Sequence, residues 1–194
     1  MTYLESGLDK FIHKVSPCIE EFCEDKFKRE QQKLVESALV DQEAQRYEDM
    51  AAAMKKLVKA TYALNKDLSQ MERQLLFFAY KQLVEQRMAS RQALIHMDND
   101  IDNYTAEDFE KRVEIDEEKK KIEAEIEDIC KTVLHLIKEY LLPKASGVEA
   151  EVFYYKMKGK FLYYLYEVTF PTKHELIQEC MLSYEEAYSR RNSF

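Results

Sequence analysis

Glycine and proline, the residues that shape tight turns, each occur only three times among the 194 residues of this chain. At average usage, a chain of this length would hold about 14 glycines and about 10 prolines. A β-sandwich needs many tight reversals, and a phosphate-binding loop needs several glycines close together. The sequence therefore argues against both and predicts an all-α protein.

Hydrophobic residues recur at helical spacing along most of the chain, and polar breaks between these segments mark the predicted helix ends. The two clearest starts are capping boxes, in which Ser69 is followed by Glu72 and Thr105 by Asp108. We expect helices over 46–64, 69–97, 105–142 and 148–168, and a last helix that ends near Tyr188.

The N-terminal part of the chain has a shorter helical pattern, formed by Leu8, Phe11, Ile12 and Val15. Pro17 is placed to begin a second helix, because proline is tolerated in the first helical turn. Together with the later segments this makes seven or eight helices. Their short connections predict that neighbours run antiparallel in one bundle.

The net charge of the chain is −8, which argues against binding to nucleic acid or to an anionic membrane surface. No run of about 18 apolar residues is present that would span a bilayer, and the N-terminus lacks the apolar core of a signal peptide. These features indicate a cytosolic or nuclear protein, and we favour a cytoplasmic location.

The residues most often used in metal sites and catalysis form no recognisable constellation. The acidic stretch 98–102 lacks the glycine and glutamate that an EF-hand loop requires further on. The four histidines stand singly, and the cysteines form no CxxC pair, so we interpret the cysteines as buried or idle thiols. These are Cys18, Cys23, Cys130 and Cys180. We predict no metal, no cofactor and no catalytic residue.

Aromatic residues and lysines are interleaved between Phe153 and Tyr166. Such interleaving occurs in proteins that bind single-stranded nucleic acid, but the acidic chain favours a packing role. Helical spacing divides the segment into an aromatic core face and a face with Lys156, Lys158 and Lys160. That lysine face is suited to an acidic or phosphorylated peptide.

Three segments in one order resemble the 14-3-3 phosphopeptide-binding proteins: RYEDMAAAMK at 46–55, LLxxAYK at 75–81 and VFYYKMKG at 152–159. Shorter matches at 121–130 and 183–188 support the resemblance, which covers residues 33–190. It implies an antiparallel helical bundle that forms a cup-shaped dimer and holds a partner's phosphoserine or phosphothreonine in a groove. Residues 1–32 are then an N-terminal helical extension, and 191–194 are a short tail. The family's last three helices have no counterpart after Tyr188, so we expect a domain that is incomplete at its C-terminus.

In the groove, the resemblance assigns the phosphate to one lysine, two arginines and one tyrosine. The lysine corresponds to Lys81 and the tyrosine to Tyr164, and Lys156 belongs to the same groove. Met88 and Tyr163 stand at the two arginine positions. Because a hydrogen bond to a charged group contributes about 1.5–3 kcal/mol, the loss of two predicts phosphate binding weaker by about 10²- to 10⁴-fold.

For the dimer, the resemblance implies salt bridges from Arg46 and Asp49 of one chain to Glu125 and Lys121 of the other. All four charges are present with complementary signs. Glu118 replaces an interface tyrosine. The expected apolar contacts come from Val40, Ala44, Leu94 and Met97.

The C-terminal sequence RRNSF resembles both a basophilic kinase site and a C-terminal ligand of 14-3-3 proteins. We hypothesise that phosphorylated Ser193 docks into a 14-3-3 groove, either its own or that of a partner. The alternative is that Arg190 and Arg191 only complement the dipole of the last helix.

Together these features predict a dimeric adaptor, not an enzyme, that binds protein segments with weakened or altered recognition of phosphate. The expected partners are phosphorylated or acidic segments and a second 14-3-3 chain. The alternative function is a regulatory subunit that pairs with an ordinary 14-3-3 chain and lowers its bivalent binding. An enzyme or a nucleic-acid binder is disfavoured by the missing motifs and the acidic charge.

Overall fold

The computed structural model of the chain describes residues 24–101, 105–169 and 173–192. These residues form six α-helices and no β-strand, which confirms the all-α prediction. Helix α1 covers 24–43, and the others are α2 (Tyr47–Ala63), α3 (Gln70–Asn99), α4 (Ala106–Leu136), α5 (Val148–Thr169) and α6 (Glu175–Asn192). The helices expected before residue 24, including the start at Pro17, lie outside the described residues.

Both predicted capping boxes are present. Ser69 Oγ accepts a hydrogen bond from the Glu72 amide at 3.3 Å, and Glu72 Oε2 accepts one from the Ser69 amide at 2.7 Å. Thr105 and Asp108 make the same reciprocal pair at the start of α4. These bonds satisfy amides that have no acceptor within the helix, and they fix where α3 and α4 begin.

Three helix ends differ from the prediction. Helices α3 and α6 continue to Asn99 and Asn192, because their last polar turns keep helical bonding without an apolar pattern. The regular α-geometry of α4 ends at Leu136, well before residue 142. The chain continues there as a π-helical turn, Ile137–Leu141, and a 3₁₀ turn, Leu142–Lys144. Pro143 has no amide hydrogen and cannot continue α-helical bonding.

Ion pairs define the antiparallel order of neighbouring helices. Between α3 and α4, Arg91 Nε lies 2.6 Å from Glu123, and towards the other end Arg112 lies 3.2 Å from Asp98. Between α5 and α6, Lys158 Nζ lies 3.0 Å from Glu179, and Arg190 pairs with Glu151. In each pair of helices, the residue numbers rise along one helix while those of their ion-pair partners fall along the other, so the two helices are antiparallel.

One core is shared by helices α1 to α5. Its largest fully buried members are Tyr154, Phe161, Met50, Met54, Leu57, Leu76, Ile126 and Leu136. Cys130 and Cys180 are buried, which confirms the prediction for these two thiols, while Cys18 and Cys23 lie outside the described residues. Burial, with a smaller effect of Glu127, raises the pKa of Cys130 to about 12, so this thiol is unreactive at neutral pH.

The carboxylate of Asp67 connects the loop between α2 and α3 to the start of α5. Its Oδ1 accepts hydrogen bonds from the Tyr154 hydroxyl at 2.6 Å and from the Leu68 amide at 2.7 Å. Its Oδ2 accepts from the Ser146 amide at 2.8 Å and lies 3.6 Å from the buried Arg73 guanidinium. The polar break that the sequence marks at this position is therefore a buried junction of three segments.

The distal halves of α3 and α4 form a two-helix projection with little core of its own. We call residues 85–99 and 106–125 the distal arm. In α3 no residue after Val84 is buried, and in α4 the only buried residue before Ile126 is Ile115. Met97 and Phe109 on this arm are 55% and 70% exposed. Among the described helices, none has the length and apolarity needed to cross a membrane.

Candidate functional site

Side chains of α3 and α5 contact each other and bring two of the predicted groove residues, Lys81 and Tyr164, to one acceptor. The ring of Phe77 on α3 makes edge contacts with Phe153 and Phe161 on α5, with centroids 6.2 and 6.3 Å apart. One turn further along α3, Lys81 faces the part of α5 that carries Tyr164. The two residues that the resemblance assigned to one site therefore meet across the contact between α3 and α5.

Glu85 is the residue through which Lys81 and Tyr164 meet. Lys81 Nζ lies 3.6 Å from Glu85 Oε1, and the Tyr164 hydroxyl donates a 3.0 Å hydrogen bond to the same oxygen. Gln82 Nε2 donates to Oε2 at 3.4 Å. Glu85 was not among the predicted site residues, although its position four residues after Lys81 places both on one helix face.

Tyr164 is buried, and its hydroxyl is a permanent donor at neutral pH. Burial, followed by the hydrogen bond to Glu85, raises the pKa of this hydroxyl above its ordinary value. Ionisation is disfavoured because the phenolate would lie in an apolar environment beside a carboxylate. The hydroxyl therefore keeps its proton and donates it to the Glu85 carboxylate.

The two positions that the resemblance gives to arginine contain no guanidinium. Met88 is half-buried and packs against the core. Tyr163 is exposed, and Lys160 Nζ lies 5.6 Å from the centroid of its ring and 4.3 Å from that of Tyr164. Lys160 therefore brings a cation to this site that the predicted groove set did not include.

Lys156 lies on the same helix, further toward its N-terminus, and it is exposed. It lines a cavity of about 570 Å³ together with Val148, Glu149, Val152 and Arg191. Lys158 instead turns toward α6, where it pairs with Glu179. The predicted single lysine face of α5 is therefore wrong, because Lys158 is directed away to the neighbouring helix.

The four charged residues of the predicted dimer contact all lie on the surface, and each has a partner within the chain. Arg46 contacts Asp41 at 2.6 Å and Asp49 at 3.6 Å. Lys121 pairs with Glu118 at 3.0 Å, and Glu125 pairs with Arg87 at 3.2 Å. Arg46 and Asp49 share one place on α2, whereas Lys121 and Glu125 lie on the distal arm.

The predicted apolar contacts of the dimer divide in the same way. Val40 and Ala44 are exposed near the end of α1, with Val40 61% exposed. Met97 is exposed and Leu94 is half-buried on the distal arm. The sequence analysis missed Phe109 and Val113, which extend the exposed apolar surface at the start of α4.

Two remaining predictions have no structural counterpart to describe. Ser193, the hypothesised phosphorylation site, lies outside the described residues. Over residues 24–101, 105–169 and 173–192, no group of three or more histidine, cysteine or acidic side chains is arranged to hold a metal ion.

Comparison with known proteins agrees with the predicted resemblance. The family model described as "14-3-3 protein" matches residues 37–193. The chain is 37% identical over 158 residues to 14-3-3-like protein 2 of Caenorhabditis elegans, a match that covers 81% of this chain and 60% of that protein. It is 38% identical over 156 residues to human 14-3-3 protein beta/alpha, covering 80% of this chain and 60% of the human protein.

These matches identify the class of protein that the helical bundle represents: the chain belongs to the 14-3-3 family. A third relative, 14-3-3 protein zeta of Bombyx mori, is 37% identical over 160 residues, which are 82% of this chain and 62% of that protein. The chain thus spans about three fifths of the length of the curated relatives it matches.

Proposed function

We propose that this protein is an adaptor that binds segments of other proteins along the face formed by α3 and α5, with weakened dependence on phosphate. One observation carries the proposal. Lys81 and Tyr164 meet at one point, whereas Met88 and Tyr163 occupy the positions at which the resemblance places two arginines. The protein works by binding, without catalysis and without a cofactor.

The presence of methionine and tyrosine at the two arginine positions lowers the affinity for phosphate. One guanidinium group can bind two oxygens of a phosphate at once, whereas a methionine thioether or a phenol offers no positive charge. Two missing charge-assisted hydrogen bonds, at about 1.5–3 kcal/mol each, reduce the affinity for phosphate by about 10²- to 10⁴-fold. Lys81 and the Tyr164 hydroxyl retain a weak attraction for anions.

We further propose that the protein is a dimer, formed with a second copy or with another 14-3-3 chain. The support lies in the distal arm, which carries Lys121 and Glu125 and exposes Met97 and Phe109. Exposed apolar surface bordered by charges is typical of protein interfaces. The complementary charges Arg46 and Asp49 lie at the N-terminal end of α2, and exposed Val40 lies near the end of α1.

The alternative function, a regulatory subunit, is supported by the contrast between two sets of residues. The charges of the dimer contact are all present, whereas both phosphate-binding arginines are replaced. A mixed dimer would hold one ordinary groove and one weakened groove, so a doubly phosphorylated client would lose the gain that bivalent binding provides. Size-exclusion chromatography with an added ordinary 14-3-3 chain tests this function, and mixed dimers favour it.

Titration of one peptide in phosphorylated and unphosphorylated forms tests the leading proposal. We expect the two dissociation constants to differ by less than about tenfold, because Met88 and Tyr163 leave the phosphate without the two guanidiniums. A preference of about a hundredfold or more for the phosphopeptide would overturn the proposal.

Three proposals concern the rest of the chain. Residues 1–32 form a helical extension, 33–190 the binding domain and 191–194 a tail, and the protein acts in the cytoplasm. Phosphorylation of Ser193 makes the tail a ligand for a 14-3-3 groove. Mass spectrometry of the native protein tests this last idea, and a Ser193 that is always unmodified would contradict it.

A further inference from the structure

The carboxylate of Glu85 occupies the position where an anion would meet the donors of α3 and α5. Its Oε1 is shared by Lys81 Nζ at 3.6 Å and by the Tyr164 hydroxyl at 3.0 Å. Its Oε2 accepts from Gln82 at 3.4 Å. A cation and a hydroxyl donor directed at one oxygen are the groups that any small oxyanion in this place would use.

Glu85 holds this position through its covalent attachment to α3. Because it follows Lys81 by four residues, helical geometry brings the carboxylate to the ammonium without ordering any further chain. A phosphate on another molecule must give up translational freedom to reach the same donors. It would also bring a charge of about −1.5 to −2 next to the carboxylate. Both effects oppose phosphate binding.

Because lysines near this site attract anions, the negative charge of Glu85 has a large effect on whether an oxyanion binds there. Lys160 Nζ on α5 lies 4.3 Å from the centroid of the Tyr164 ring, and Lys81 Nζ on α3 lies 3.6 Å from Glu85 Oε1, so each of the two helices supplies a cation near Tyr164 or its acceptor. Such a set attracts an oxyanion even without arginine. Glu85 is the group among them that repels one.

We propose that Glu85 determines specificity: its carboxylate takes the anion position between Lys81 and Tyr164 and so selects unphosphorylated segments over phosphorylated ones. The inference rests on the proposed function, which places the bound segment on this face. Its cause is separate, however, from the loss of the arginines. Met88 and Tyr163 remove an attraction, whereas Glu85 adds a repulsion, and specificity commonly uses both.

The substitution Glu85→Gln tests this role, because it preserves the size of a side chain that is 42% exposed and removes its charge. Two fluorescent peptides of one sequence, with phosphoserine or serine at the centre, are titrated against the full chain by fluorescence anisotropy. We expect the variant to bind the phosphopeptide about tenfold more tightly than the wild type, which corresponds to about 1.4 kcal/mol. The serine peptide should change by less than about twofold.

Two further variants separate a local effect from a change in net charge. Glu185→Gln removes the same charge at an exposed position of α6, outside the groove and the proposed dimer contact, and should leave both affinities unchanged. Lys81→Met, added to Glu85→Gln, should remove the gain, because the freed anion position then lacks its ammonium. Glu85→Ala provides a second removal of the carboxylate and should shift the phosphopeptide affinity in the same direction.

An equal response of Glu85→Gln and Glu185→Gln, or no gain for the phosphopeptide, would overturn the inference. The proposed function fails by a different result, namely a wild-type protein that already prefers the phosphopeptide by about a hundredfold. Thermal denaturation of each variant verifies that folded proteins are compared.

Discussion

The Tyr154 hydroxyl donates a 2.6 Å hydrogen bond to Asp67 Oδ1, joining residues 87 positions apart in the sequence. Tyr154 is fully buried, and the acceptor belongs to the junction described above. Replacement by phenylalanine leaves a carboxylate that is only 5% exposed short of one donor. We therefore expect Tyr154→Phe to lower the free energy of unfolding by about 1–3 kcal/mol, measured by urea denaturation.

The matched control is Tyr188→Phe on α6, because this ring is 70% exposed. A surface substitution of this kind changes stability by less than about 0.5 kcal/mol. Equal midpoints and slopes for Tyr154→Phe and the wild type would show that the bond to Asp67 contributes nothing.

Restoring the two guanidiniums should restore phosphate recognition. We expect the double substitution Met88→Arg and Tyr163→Arg to tighten binding of a phosphoserine peptide by about 10²- to 10⁴-fold, with little effect on the serine peptide. Isothermal titration calorimetry measures both constants. Each single variant should show part of the gain. A double variant with unchanged affinity would mean that these positions do not face the bound segment.

Dimerisation should depend on the apolar surface of the distal arm. Met97→Asp places a charge on this surface, and we expect it to shift the protein toward the monomer in sedimentation-velocity experiments. Met181→Asp on α6 is the control, because Met181 is 58% exposed and lies outside the proposed contact. Loss of the dimer in both variants, or in neither, would contradict the proposed interface.

The ion pairs of Glu127 with two lysines predict a pH dependence of stability. Hydrogen bonds from Lys173 and then Lys131 lower the pKa of Glu127 below its ordinary 4.5. The unfolded chain therefore takes up this proton at a higher pH than the folded one. The stabilisation is complete above the unfolded pKa and is lost as the pH falls through the folded pKa.

Glu127→Gln should therefore destabilise the protein above pH 5 by less than about 1 kcal/mol, the range for partly exposed ion pairs, and the effect should shrink as the pH falls below 4.5. Thermal melts across this range in wild type and variant measure the difference. Glu114→Gln serves as the control for a general loss of negative charge. A stability difference between wild type and Glu127→Gln that grows toward low pH would contradict the prediction.

Gly159 should be required by the packing of α6. A Cβ at this position would lie 2.7 Å from Cε2 of the Tyr184 ring, closer than real contacts allow. Gly159→Ala should therefore lower the free energy of unfolding by about 1–3 kcal/mol, although alanine normally favours a helix. In a Tyr184→Ala background the same change should stabilise by roughly 0.5–1 kcal/mol. Denaturation of the four proteins of this cycle decides whether the sign reverses.

Features that depend on neighbouring residues were predictable from the sequence. The capping box of Ser69 and Glu72 lies within four residues, so its chemistry is visible without any knowledge of packing. Membership of the 14-3-3 family was recognisable from motif order. The pairing of Lys81 with Glu85 is also of this kind, because helical spacing alone places the two side chains on one face.

Features that depend on packing between distant segments were not predictable. The contact between Glu85 and Tyr164 spans 79 residues and exists only because the fold brings side chains of α3 and α5 together. The sequence also predicted α3 as one helix over 69–97 without showing how much of it is covered. Burial along α3 stops at Val84, because the 17-residue α2 is too short to cover the 30-residue α3.

The uncovered distal arm has a consequence for the lifetime of the chain. With only Ile115 buried, this hairpin should open locally at a lower free energy than the core, and its amides should exchange first. A partner that binds the arm stabilises its closed form by mass action. The concentration of that partner therefore sets the population of the open form, which proteases cleave. The abundance of this protein would then follow that of its partner, since an unassembled chain is degraded first.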